Sequence, residues 1–211
     1  MSFHTIVVAA TAGMLAAAAS FFLNAGAENG PAIESASKLE SAIFAGGCFW
    51  CVESDFDKVD GVVETISGYS GGESTNPTYK THTKQGHLEV VKVIYDPERV
   101  DYPQLVDYFF RHIDPTDDGG QFCDRGNSYR SAVFVESAEE RTVVQDLIQS
   151  YQDRNEVTDK IVTRVLDEAP FYTAEKYHQD YYRKNPQRYN FYRQGCRRDA
   201  RVAEVWSAPS S

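Results

Sequence analysis

The sequence predicts an α+β domain, a mixed β-sheet with helices packed on it. Short runs of strand character recur at 41–45, 62–68, 88–95, 129–135 and 161–166. Runs with apolar residues at helical spacing fall between some of them, at 52–58, 102–113 and 138–152. The two kinds mix without a regular βαβα alternation, and there is neither an internal repeat nor a glycine-rich phosphate loop.

At 211 residues, with 42% hydrophobic and 25% charged content, the chain suits one domain with a real core. A net charge of −10 argues against a nucleic-acid partner, because nothing would offset phosphate repulsion. Residues 6–23 are almost wholly apolar and end in Asn24-Ala25-Gly26-Ala27-Glu28, an A-x-A-like site. Residues 1–27 therefore read as a secretory signal cut after Ala27, which makes the mature protein periplasmic or secreted. The run has only His4 before it and approaches membrane-spanning length, so an uncleaved membrane anchor is the alternative. Residues 28–40 read as a polar linker and 41–211 as the domain. Both methionines, Met1 and Met14, fall in the leader, which is either chance or the mark of a protein that works among oxidants.

Ser41 to Ala45 is apolar and bounded by Gly46-Gly47, a buried strand. Val52, Phe56 and Val59 follow at helical spacing, so Cys48 sits where the strand hands over to a helix. A helix N-terminus presents free N–H groups and partial positive charge, which predicts a thiolate at Cys48 with a depressed pKa. Phe49 and Trp50 would wall it. After the strand at 62–68, residues 69–80 are a loop rich in Gly, Ser, Asn and Pro. Residues 88–95 alternate and are β-branched, and Asp96-Pro97-Glu98 stops them. Leu105, Val106, Phe109 and Phe110 mark one side of the next helix. Residues 114–126 form a long loop, of a length usually functional. Ser137 caps the helix from Ala138, with Glu140 at the capping-box position. From Phe171 to Tyr192 the chain is aromatic and polar, with short helical pieces around 174–181, and the tail after Cys196 is charged, then small and mobile.

Cys48-x-x-Cys51 places two thiols one helical turn apart, as in a disulfide oxidoreductase; a plain structural disulfide is the bland reading. A zinc site would need a second ligand pair, which Cys123 and Cys196 do not supply at short spacing, so no metal is expected. Glu89 interrupts an apolar strand: core-facing, it would be a neutral general acid; by alternation, it would simply face solvent.

Gly47-Cys48-Phe49-Trp50, Asn76-Pro77-Thr78-Tyr79, Gly86-His87-Leu88-Glu89, Tyr129-Arg130-Ser131, His178-Gln179-Asp180-Tyr181 and Lys184-Asn185-Pro186 occur in that order. Together, over residues 43–189, they closely resemble the A-type peptide methionine sulfoxide reductases. The fold this implies is a two-layer sandwich with a ferredoxin-like core and a long irregular C-terminal segment. By the same resemblance Cys48 is the nucleophile and Glu89 the general acid. Tyr79 and Tyr129 hydrogen-bond the sulfoxide oxygen, and Asp124 is a carboxylate at the mouth. Phe49 and Trp50 cage the substrate methyl, with His178, Tyr181 and Tyr189 helping to form the binding site.

The implied reaction reduces methionine S-sulfoxide, in proteins and free, by way of a Cys48 sulfenic acid and an intramolecular disulfide. A thioredoxin-type dithiol recycles it, no cofactor is needed, and a monomer is expected. Cys51 departs from the commonest pattern, where many members have glycine. It is the first candidate to resolve the sulfenic acid; Cys196 on its glycine-flanked tail is the second, Cys123 the third, and a relay through two is open. The rival functions are a thiol–disulfide oxidoreductase using Cys48 and Cys51, which leaves Glu89, Tyr79 and Tyr129 without a task, and a secreted binding domain stapled by two disulfides.

Overall fold

In the computed structural model, described for residues 38–207, a six-stranded sheet runs in the order β7-β6-β1-β3-β2-β8. The first half of the chain supplies β1 (Glu40–Ala45), α1 (Phe49–Phe56), β2 (Val62–Ser70), β3 (Leu88–Tyr95) and α2 (Tyr102–Phe110). The second half supplies β4 (Gly120–Gln121), β5 (Asp124–Arg125), β6 (Ala132–Val135), α3 (Ala138–Asp153), β7 (Arg164–Asp167) and β8 (Tyr172–Thr173). Three helices follow: α4 (Tyr181–Lys184), α5 (Pro186–Gly195) and α6 (Arg198–Trp206). Strands β6, β1, β3 and β2 pair antiparallel around β1-α1-β2-β3-α2-β6, which is the ferredoxin-like core. Among the described strands only β6 and β7 run parallel, joined by the α3 crossover. The expected leader and nearly all of the expected linker lie outside the described residues. No helix among the described residues is long and apolar enough to cross a membrane.

Strand alternation builds the core. Ala42 and Phe44 of β1, Val91, Val93 and Tyr95 of β3, and Val133 and Val135 of β6 face the helices, where they meet Phe49, Val52, Leu105, Phe109 and Val144. The other face, with Ile43, Val90 and Phe134, is covered by Leu166, Ala169 and Phe171. Phe44 is fully buried and packs on Phe56 and Phe109 with ring centroids 4.8 and 5.0 Å apart. Truncating it leaves a cavity between sheet and helices, so Phe44→Ala is expected to cost about 3–5 kcal/mol in urea denaturation. A cost below about 1 kcal/mol would contradict this packing.

Helix boundaries follow local chemistry. Asp101 accepts from Gln104 N while the Gln104 side chain accepts from Asp101 N, a complete capping box for α2. At α3, Ser137 accepts from Glu140 N as expected, but the Glu140 carboxylate reaches Glu136 N–H instead of closing the box on Ser137.

Five expectations for single segments need correction. The strand expected at 129–135 begins at Ala132, after a 3-10 turn over Asn127–Tyr129, and that expected at 161–166 is Arg164–Asp167, where its parallel partner lies. The long loop at 114–126 contains the two-residue hairpin strands β4 and β5. The helical pieces expected near 174–181 are turns up to Tyr181, because Gln179 spends its side chain on Ser67 N, Ser67 O and Ala174 O. The charged part of the tail after Cys196 is helix α6, while the small residues 208–211 lie outside the described residues: Val202, Val205 and Trp206 form a helical stripe, Val205 and Trp206 pack on the core, and Arg198 is 2% exposed.

Candidate active site

The turn between β1 and α1 fixes the site. Gly46 touches Val52, Ile113 and Phe109 so closely that a Cβ would lie within 3.0 Å of each. Gly47 has φ +84°, and a Cβ there would sit 2.6 Å from Gln121 Cβ. The chain therefore turns tightly and delivers Cys48 as the N-cap of α1, as the sequence predicts.

Glu89 resolves in favour of the core. Its position on β3 shares the face of Val91 and Val93, opposite Tyr69 of β2, and it is 2% exposed. Its Oε2 accepts from Phe49 N at 3.1 Å, and Tyr129 also hydrogen-bonds its carboxyl. Burial pushes its pKa up to about 8 against the pull of those bonds, so the carboxyl is protonated at neutral pH. His82 Nε2 lies 3.8 Å from Glu89 Oε1. Burial holds His82 below its usual pKa, leaving it neutral beside the acid.

The same bond corrects the expectation for Cys48. The first free N–H of α1 is taken by Glu89, and the Cys48 side chain makes no cap bond of its own. Burial, the Cys51 thiol hydrogen-bonded beside it, and the nearby Glu89 and Asp124 carboxyls push Cys48 up. Cys51 is held down, foremost by the hydrogen bond from Cys48 and then, against its own burial, by Arg198 and Arg193. The resting pair keeps its proton on Cys48 and favours charge on Cys51.

The remaining expected residues surround this pair. Trp50 stacks on Tyr181 at 3.7 Å and 6°, and donates from Nε1 to His178 Nδ1 at 3.0 Å. Buried His178 therefore carries its proton on Nε2 and packs against Phe49 and Tyr79. Tyr79 is 40% exposed, held by Glu175 at its backbone N–H, and pushed up to about 12 by burial and by nearby Glu89, Cys48 and Asp124. Burial also raises Tyr129, keeping its O–H a donor. Asp124, on β5, is raised by burial and accepts from Tyr192 O–H. Tyr189 packs with Tyr181 and Trp50 against Cys51 and accepts from Arg193 at 2.9 Å.

Cys123 and Cys196 form a disulfide, with Cα atoms 5.1 Å apart. Cys196 is therefore on a tethered corner between two helices, a correction to the mobile tail, and Cys51 is the free thiol that faces Cys48. The donor atoms of Cys123, Asp124 and Cys196 lie within 4.8 Å of one another, but the two sulfurs are already joined. Sequence reasoning missed Tyr192, whose ring meets Trp50 edge-on, the half-buried Arg193 and the buried Arg198. Only the spacing of Tyr189, Tyr192 and Arg193 along one helical face hinted at them.

Residues 40–210 match the family model described as peptide methionine sulfoxide reductase. The chain is 52% identical over 171 residues to peptide methionine sulfoxide reductase MsrA 2 of Rhizobium meliloti (strain 1021), covering 81% of this chain and 85% of that one. It is 48% identical over 174 residues to MsrA 2 of Caulobacter vibrioides, covering 82% and 88%. Its structure resembles that of Mxr1 from Saccharomyces cerevisiae in reduced form, with TM-score 0.65 and 34% identity over 71% of this chain and 87% of that one.

Proposed function

Because the chain belongs to the peptide methionine sulfoxide reductase family, we propose that its site reduces the S-epimer of methionine sulfoxide with Cys48 as nucleophile and Glu89 as acid. The chain is a thiol-dependent oxidoreductase of methionine sulfoxide. The observation that carries the residue roles is the buried, protonated Glu89 hydrogen-bonded to the backbone N–H next to Cys48. Thiol–disulfide exchange releases no oxygen, so it gives that acid and the donor phenols of Tyr79 and Tyr129 no leaving group to protonate.

Cys48 Sγ attacks the sulfoxide sulfur as its proton passes to Cys51 Sγ. Glu89 gives its proton to the sulfoxide oxygen, while Tyr79 and Tyr129 donate to that oxygen as charge develops. The methionine sulfur gains two electrons and leaves as thioether, and Cys48 loses two and holds the oxygen as sulfenic acid. Cys51 Sγ then attacks Cys48 Sγ; the S–O bond breaks, and the hydroxyl leaves as water with the Cys51 proton. Glu89 recovers its proton from solvent. A thioredoxin-type dithiol reduces the Cys48–Cys51 disulfide and the monomer turns over again. The apolar faces of Phe49 and Trp50, the latter fixed between Tyr181 and His178, suit the substrate methyl.

We place the protein outside the cytoplasm, cut after Ala27, where a surface bridge such as Cys123–Cys196 forms readily. The mature chain would then contain no methionine of its own to oxidise.

The test is disulfide mapping after one equivalent of sulfoxide without reductant. A new Cys48–Cys51 bond is expected, with methionine formed from the S-epimer. Cys51→Ser should still form about one methionine per enzyme, leave Cys48 as a trappable sulfenic acid, and lose most turnover with a dithiol donor. Full turnover in that variant would remove Cys51 from the cycle.

A further inference from the structure

We propose that Arg193 and Arg198, held in place by the Cys123–Cys196 disulfide, are positioning residues that make Cys51 the leaving thiolate when the enzyme is recycled, so that the reducing dithiol attacks Cys48. The inference rests on Cys51 being the resolving thiol.

Cys51 and Asp55 lie one turn apart on the same face of α1. Two guanidinium groups converge there from helices distant in sequence. Arg193 of α5 sits 2.9 Å from Asp55 Oδ1 and also pairs with the exposed Asp199. Arg198 of α6 donates to Gly46 O at 3.1 Å and His112 O at 2.8 Å, and its Nε lies 3.7 Å from Asp55 Oδ2. Neither that Nε nor Asp55 Oδ2 has a hydrogen-bond partner, and Arg198 is 2% exposed. The pocket beneath Cys51 thus holds two cations and one buried carboxylate. A buried charge left in surplus is costly unless an opposite charge completes the pocket, and a thiolate on Cys51 does so.

The other groups facing Cys51 leave this balance intact. Cys48 donates to it, Glu89 is neutral, and the phenols of Tyr189 and Tyr192 are raised by burial and remain uncharged. Asp55 is the one opposing charge on its helix face, and it already sits between the two arginines.

The second disulfide is placed to hold these groups. Cys196 stands three residues after Arg193 and two before Arg198, at the corner where Arg197 turns the chain with φ +52°. Its partner Cys123 lies in the β4–β5 hairpin, whose Gln121 packs on Gly47 and whose Phe122 ring lies 4.6 Å from the Arg198 guanidinium. The bridge therefore ties the arginine-bearing corner to the turn that carries Cys48. Cys48 is 7% exposed, whereas Cys51 is 2% exposed and sealed by Tyr181 and Tyr189.

In recycling, a thiolate of the dithiol donor attacks Cys48 Sγ. A donor–Cys48 bond forms, the Cys48–Cys51 bond breaks, and its electron pair departs on Cys51 Sγ; a more acidic thiol leaves faster. The donor's second thiolate then closes the donor disulfide and releases Cys48, which takes up a proton.

The full chain is oxidised with one equivalent of methionine sulfoxide, its disulfide mapped, and its reduction by dithiothreitol timed between about pH 6 and 9. Relative to methionine formation, reduction should slow about tenfold in Arg198→Gln and return toward wild type in Arg198→Lys, which keeps the charge. Arg193→Gln and the double variant Cys123→Ser/Cys196→Ser should slow in the same direction, and Arg193, nearer the surface, serves if Arg198→Gln does not fold. In a Cys48→Ser background the pH midpoint of Cys51 ionisation, read by the ultraviolet absorbance of the thiolate, should rise by about one unit with Arg198→Gln. A thioredoxin-type donor stripped of its second cysteine should be captured on Cys48. Unchanged reduction rates and midpoint, or capture on Cys51, would overturn the proposal. Failure of wild type to form the Cys48–Cys51 bond at all would instead overturn the reading beneath it.

Discussion

Cys48→Ser should reduce methionine formation by at least roughly 10³-fold, to background, with dithiothreitol as reductant. No other sulfur can take over. Cys51 is 2% exposed and lies behind Cys48 against Tyr181 and Tyr189, while Cys123 and Cys196 are bonded to each other. The substitution is nearly isosteric, and a serine hydroxyl can still donate toward Cys51 as the Cys48 thiol does. Loss of activity should therefore come without loss of fold, read by an unchanged circular dichroism spectrum and an intact Cys123–Cys196 bond. Retention of more than about one percent of wild-type turnover would end the assignment of Cys48 as nucleophile.

Glu89→Gln separates proton donation from binding. The amide keeps an acceptor for Phe49 N–H but has no acidic proton to give, so kcat should fall by about 10² to 10⁴ while Cys48 remains alkylatable. Wild-type activity should decline above about pH 8 as Glu89 ionises, and the variant's residual activity should lack that limb. Stability carries the same signature. The folded carboxyl titrates near 8 instead of its ordinary 4.5, so the folded state holds the proton between those values. The associated stability is fully present below about 4.5 and is lost as pH rises through 8, by roughly 5 kcal/mol at the limit. Glutamine does not titrate, so the variant should gain on wild type between about pH 5 and 9 in urea denaturation. A difference that stays flat with pH, or equal losses of turnover and Cys48 alkylation, would argue against a buried acid at this position.

The strand β3 shows where reading the sequence reaches its end. Its alternation and β-branching fixed its limits at 88–95, but alternation alone leaves open which face is the buried one. The register against β2, Glu89 opposite Tyr69, and the placement of the helices on that side resolve it. Cys48 went the other way. Its place at a strand-to-helix turn was legible from Gly46-Gly47 and the helical spacing after it. Its raised pKa was not, because its burial comes first and is set by packing, and the Glu89 carboxyl that adds to it and takes the helix N–H lies 40 residues from that N–H in the chain. The tail was misread for a plainer reason: charged residues outnumber Val205 and Trp206, the two apolar ones that seat α6, and only contact with the core reveals which count.

The sequence by itself determined the sheet-and-helix composition, the handover at Cys48, and the set of residue types able to reduce a sulfoxide. Those are properties of local spacing and side-chain chemistry. The tertiary structure decided that Glu89 is an acid, that Cys51 and not Cys196 confronts Cys48, and that Arg193, Arg198 and Tyr192 belong to the site. Burial and charge proximity set protonation and redox partnership, and both arise only when segments far apart in the chain pack together.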